Sequence, residues 1–319
     1  MTKANIYSFA AAAALSLLIL PSCSQKDEIL DTETYSVEFV AVKGSDDEAV
    51  WTRALEEGPN NYLYAPWEEG ETVQVFKVNP SAQSPQEAYV SVGTLTAQSS
   101  GSTTTLKGKL TGLFTLGDRL FFSYRHGLVF DYRGQNGTLE DIADNYDYAT
   151  TSSSISKISS GAIILSSDKL RFDSLQSIFK LTLKDASGGA LNASKLVLQS
   201  TSTYEDQDGQ LVEYEALAQL AGVINNADSY LAGPIEIIPQ SPTNVFFVAL
   251  YGYSHGDPFV IKATVGEETY TFSTDNFRYY SDSYYVYDVI MTNPVTDPDV
   301  ELDGDASLRY GQGTIGSLD

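Results

Sequence analysis

The chain has 319 residues, a formal net charge of −23, a single Cys and two His. Such acidity excludes nucleic acid or an anionic membrane surface as partner, since either would repel it. One cysteine excludes an internal disulfide, two histidines exclude a multi-histidine metal site, and 21 Tyr and 14 Phe against two Met mark a β-rich chain that its core alone must hold together.

In chain order, the first element is an export signal. Met1-Thr2-Lys3 precedes an apolar run from Ala10 to Leu20, too short to span a bilayer as a stable helix, and Leu20-Pro21-Ser22-Cys23 follows. That tetrapeptide resembles the bacterial lipobox, which implies cleavage before Cys23 and lipid attachment to its thiol. Acyl chains contribute roughly 0.8 kcal/mol per buried CH₂, so two or three of them anchor effectively for good. Ser24-Gln25-Lys26-Asp27-Glu28 resembles the short acidic signal that sends some Bacteroidota lipoproteins to the outer face of the outer membrane, although a solvated tether has the same composition. The expected location is therefore the cell outer membrane, lipid-anchored and surface exposed.

Beyond the tether most segments alternate with period two. In Ser177–Lys184 one face holds Phe179, Leu181 and Leu183, and the other Lys180, Thr182 and Lys184. Phe259–Val265 and Glu268–Ser273 read as a hairpin about Gly266-Glu267. Val245–Leu250 is apolar on both faces, as a central strand is, and Tyr284–Met291 is a further strand. Leu211–Ala221 is ambiguous, because Leu211, Tyr214, Leu217 and Leu220 also fit helical spacing. Turn residues between the strands predict an all-β, antiparallel sandwich class, and the length suits two domains. Ser/Thr-rich Thr150–Gly161 is the best linker, with the Asp185–Ala190 turn as another place for the boundary. The predicted layout is a leader over 1–22, a tether and first strand over 23–53, domains over 54–155 and 156–292, and a tail over 293–319.

The tail carries its own signal. After Asn293-Pro294 and Asp297-Pro298, Val300, Leu302, Gly304, Ala306, Leu308 and Tyr310 alternate with Glu301, Asp303, Asp305, Ser307 and Arg309. A two-faced strand beyond a linker seeks a sheet edge, on a neighbouring molecule or on its own second domain.

No chemistry stands out. Gly252-Tyr253-Ser254-His255-Gly256 matches the nucleophile-elbow pattern, but a strand follows it rather than a helix and no later His completes a triad, so it reads as a hairpin tip. Asp299–Asp305 imitates a calcium loop whose twelfth position is Tyr310 instead of an acid. Neither an enzyme nor a cofactor or metal is expected. Tyr279, Tyr280 and Tyr284 offer a stacking platform if the chain is instead a ligand-binding lipoprotein, for a glycan or another surface ligand.

Several phrases together resemble the fimbrillin family, the pilin-like surface lipoproteins of Bacteroidota. They are Trp51-Thr52-Arg53-Ala54, Trp67–Phe76, Leu120–Tyr124, Leu175–Leu181 (without the His the family has there) and Pro234–Val248. The resemblance implies two transthyretin-like β-sandwich domains and a fimbrial subunit, structural or adhesive, that assembles with other subunits by strand exchange. It implies an Arg-specific cut between Arg53 and Ala54 that removes the strand Tyr35–Val42, on which Tyr35, Val37, Phe39 and Ala41 share a face. It implies too that a neighbour's tail, here Val300, Leu302, Leu308 and Tyr310, fills the opened groove. Other fimbrial subunits, outer-membrane lipid through Cys23 and a surface receptor are the partners that follow.

Overall fold

The computed structural model describes residues 33–43, 55–57, 63–125, 127–159, 161–222, 230–292 and 311–314. The described residues from Glu33 onward form one unit with two hydrophobic cores. In chain order β1 (Glu33–Lys43) is followed by the paired two-residue strands β2 (Glu56–Glu57) and β3 (Leu63–Tyr64). Then come β4 (Thr72–Val78), β5 (Tyr89–Ala97), β6 (Thr103–Gly112), β7 (Arg119–Tyr124) and β8 (Val129–Asp131). A helical turn capped by Thr138 runs into a π-helical turn, Ile142–Tyr146, before β9 (Ala149–Ser159), β10 (Ala162–Leu165) and β11 (Lys169–Ser174).

Eight of these strands make the first sheet, in the order β10-β9-β11-β1-β6-β5-β4-β7, and β7 pairs back onto β9. Seven strands thus close into a ring, which leaves few free edges. Period-two alternation fills it: Tyr35, Val37, Phe39 and Ala41 from β1 meet Val73, Val75, Leu95, Leu106, Leu110, Phe122 and Phe172 inside. The ring is drawn tight where β5 meets β6. A Cβ on Gly108 would lie 2.5 Å from the Thr94 carbonyl oxygen and 2.9 Å from Leu95 Cδ2. Gly108→Ala therefore forces the two strands apart, and a loss of about 1–3 kcal/mol is expected in urea unfolding.

The second half contributes β12 (Gln176–Lys184), β13 (Lys195–Glu205), β14 (Leu211–Glu215), β15 (Ala218–Gly222), β16 (Leu231–Ala232) and β17 (Ile235–Ile237). It ends with β18 (Val245–Tyr251), β19 (Ser254–Val265), β20 (Glu268–Tyr279), β21 (Ser283–Ile290) and β22 (Gly311–Thr314). Two sheets, β18-β12-β21-β22 and β14-β13-β19-β20, supply the second core, with Phe179, Leu181 and Tyr285 from one and Leu198, Phe259 and Phe277 from the other. Leu55, Leu63, Phe130, Tyr132 and Tyr148 from the first half also pack into this second core, and β8 pairs with β15. Buried Gln135 fixes that crossing: its amide donates to the Tyr132 and Ala249 carbonyls at 2.9 Å, and its oxygen accepts from Ala249 N at 2.8 Å.

Three expectations change. Thr150–Gly161 is not a linker but lies largely in β9, so a division at residue 155 falls inside a strand and the first sheet runs on to Ser174. Thr suits a pleated surface, Ala149 and Ile155 are buried, and the Ser153 hydroxyl bonds Ser167 Oγ at 3.1 Å. The helical spacing in Leu211–Ala221 is incidental: the segment forms β14 and β15, with Leu211 exposed. Gly252–Gly256 is not a hairpin tip, because β18 pairs with β12 while β19 pairs with β13 and β20; it is a crossover between two sheets.

Candidate functional site

The feature that sets this fold apart is the slot of β1. On one side β1 pairs antiparallel with β6, from Glu33↔Gly112 to Val42↔Thr103. On the other it pairs parallel with β11, from Val40↔Lys169 to Lys43↔Phe172. Tyr35, Val37 and Phe39 are 4%, 6% and 7% exposed and Ala41 is fully buried, so one apolar row from a single strand plugs the ring. Tyr35 meets Phe114 edge-on at 5.4 Å, and Phe39 meets Phe122 at 6.0 Å.

The fifth residue of that row is a cation. Lys43, at the end of β1, points inward with the four apolar residues and is 6% exposed. Its Nζ lies 3.4 Å from Glu71 Oε2 and 3.5 Å from Asp147 Oδ2. It also sits 3.6 Å above the Tyr124 ring and 4.7 Å from that of Trp67. Two carboxylates and two aromatic faces thus enclose one ammonium. Trp67 is itself wholly buried, edge-on to Tyr124 at 5.4 Å and to Phe172 at 5.3 Å.

Glu71 is the hub of the cluster. It accepts from the Glu68 amide at 3.0 Å, from the Tyr124 hydroxyl, and from Arg125 Nη2 at 2.7 Å. Burial pushes its carboxyl up, but Lys43, Tyr124, the Glu68 amide and Arg125 together outweigh that and hold it below its ordinary 4.5. Burial first, then the charges of Asp147 and Glu71, keeps the Tyr124 phenol protonated. Arg125 adopts a left-handed backbone, φ 62°, which aims its guanidinium at Glu71 and the Ala143 carbonyl. Asp147 Oδ1 accepts from Gln176 Nε2 at 3.3 Å.

Among the sequence-predicted site residues, Tyr35, Val37 and Phe39 stand together in the ring. Cys23, Arg53, Ala54, Val300, Leu302, Leu308 and Tyr310 lie outside the described residues, as does the calcium-like segment. Leu55, two residues after Arg53, is buried in the second core. Glu57 is held at 2.8 Å by Lys180 and at 2.6 Å by the Tyr284 hydroxyl. At the far end β22 lies along β21, pairing Gly311–Thr314 with Ser283–Val286.

The other candidate sites lose their geometry. Ser254 is buried, with its Oγ 2.7 Å from both Asp257 Oδ2 and the Phe277 carbonyl, and no helix follows it. Of the stacking platform, Tyr279 and Tyr284 are core residues and only Tyr280 is exposed. Among the described residues no group of three or more His, Cys, Asp or Glu could hold a metal ion. The buried Lys43 was missed in the sequence. Its signal is parity, since it falls two residues after Ala41 on the same face of one strand.

The backbone is similar to that of a candidate cell adhesion protein from Bacteroides ovatus ATCC 8483, at 14% identity and TM-score 0.46, over 81% of this chain and 95% of that one. It is similar to the tip fimbrial protein Mfa3 from Porphyromonas gingivalis with C-terminal truncation, at 9% identity and TM-score 0.43, over 88% and 99%. A fimbrial assembly protein from Parabacteroides distasonis ATCC 8503 is similar at 12% identity and TM-score 0.39, over 81% and 91%. No protein-family model matches the chain, and no curated protein matches it.

Proposed function

We propose that the chain is a fimbrillin-like fimbrial subunit, exported as a lipoprotein on Cys23 and held at the outer-membrane surface. It assembles by exchange of β1 for a strand from another subunit. The observation that carries this reading is the position of β1: one strand, first in the described chain, supplies a whole apolar row to the ring and pairs at both edges. A cut after Arg53 would free it, while Leu55 and Glu57 would keep the new N-terminus seated. The two cores correspond in this reading to two transthyretin-like sandwich domains that meet near Ser174-Leu175. The tail Val300, Leu302, Leu308 and Tyr310 is the strand offered onward to the next subunit.

The experiment is the N-terminal sequence and intact mass of the protein taken from its native cell surface. A chain beginning at Ala54 supports release of β1. A chain beginning at acylated Cys23 retires strand exchange into this ring and leaves a tethered surface lipoprotein.

A further inference from the structure

We infer that the slot left by β1 accepts only a strand that carries a Lys or Arg at the end of its buried apolar face, so that this chain's own tail is not what fills it. This rests on the proposed release of β1, and adds to it what kind of partner the slot selects.

Lys43 belongs to the segment that leaves. Glu71, Asp147, Arg125, Trp67 and Tyr124 belong to the part that stays. With Lys43 gone, two nearly buried carboxylates remain against one cation. Arg125 is already committed to Glu71 and to the Ala143 carbonyl and reaches Asp147 only through its field, so Asp147 keeps a direct bond to the Gln176 amide but no ion pair in contact. An apolar or amide side chain placed there strands a buried negative charge, and an acidic one is repelled. The aromatic walls reinforce the choice, because the Tyr124 and Trp67 rings offer their faces to a cation. The cage therefore reads charge at one defined place, two residues past the apolar position that Ala41 holds now.

The tail of this chain does not meet that demand. Its apolar face is Val300, Leu302, Gly304, Ala306, Leu308 and Tyr310, and Gln312 is the next residue on the same side. Arg309, the one basic residue of the tail, has the opposite parity and would face outward. Sliding the tail by two residues in either direction brings no cation onto the buried face. The strand that fits comes from a different subunit, and a fibre of this chain alone is disfavoured.

The test uses the non-acylated chain from Cys23 to Asp319, cut after Arg53 by an Arg-specific protease, with the cut confirmed by mass. Labelled peptides compete for the slot: the native sequence Glu33–Lys43, its Lys43→Arg and Lys43→Met forms, and the tail Val300–Asp319. The native and Arg peptides are expected to bind alike. The Met peptide should bind at least about 100-fold more weakly, the scale of removing one partner of a buried ion pair. In an Asp147→Asn protein that gap should narrow to less than about tenfold, since less charge is left unpaired. Equal binding of the Met and native peptides overturns the inference and leaves the release of β1 standing. A tail peptide that binds as tightly as the native one overturns the exclusion of self-assembly. If no peptide enters the cut protein, the release reading fails and this inference with it.

Discussion

Replacing Phe179 with Ala is expected to lower the unfolding free energy by about 3–5 kcal/mol. Phe179 stands opposite Tyr285 in the parallel register of β12 and β21, and their rings stack at 5.0 Å and 14°. Tyr287 stacks on it at 6.3 Å, and Phe277 and Tyr279 from the facing sheet approach at 5.5 Å. The two sheets cannot close over the missing ring, because Phe277 is itself stacked on Phe259 at 4.0 Å. The cavity beside Phe179, lined also by Leu181, Leu198, Phe259 and Phe277, holds about 10 Å³, no more than one water. Urea unfolding followed by near-UV circular dichroism should show the midpoint fall while the denaturant slope stays unchanged. Phe179→Leu should recover more than half of the loss. An Ala variant within about 1 kcal/mol of the parent would mean that the second core is not packed this way.

Glu71→Ala is the second large effect, again about 3–5 kcal/mol, because it removes one carboxylate shared by two cations and leaves Lys43 to Asp147 and Arg125 to the Ala143 carbonyl. Its pH dependence has a definite sign. The folded carboxyl lies below its ordinary 4.5, so its contribution is complete above that value and disappears as the pH falls through the folded pKa. Stability of the parent should therefore decline below about pH 4.5, and part of that decline should be missing in the variant. Trp67, one of two tryptophans in the chain, touches the cluster and gives the fluorescence readout. Matching acid profiles for parent and variant would show that Glu71 is not the hub.

Much of the fold was legible, for reasons that differ by element. Strands β12, β18, β19, β20 and β21 alternate or run apolar within a few residues, and local pattern suffices for them. Strand β9 was hidden, because its polar residues are held by distant partners: Ser153 bonds Ser166 and Ser167 on a neighbouring turn, and Ser156 bonds the Ile164 and Leu165 carbonyls. The Gly252–Gly256 crossover misled because Gly252, at φ 72°, and its polar neighbours look alike whether the chain returns to the same sheet or moves to another. Only the distant pairings of β18 with β12 and β19 with β13 decide that. Likewise the apolar face of β1 could be read from Tyr35, Val37 and Phe39, whereas the value of Lys43 depended on Glu71 and Asp147, which no local pattern brings together.

Strands β1 and β22 differ in how they would respond to pulling. Strand β1 is hydrogen-bonded on both sides, antiparallel to β6 along its length and parallel to β11 at its end. Tension along its axis loads those rungs in shear, so they resist together and a plug of this kind yields abruptly at high force. Among the described residues β22 pairs with β21 along one edge, over Gly311–Thr314. A strand held along one edge can peel away rung by rung at low force, so the β21–β22 contact is the compliant one and the ring is the grip.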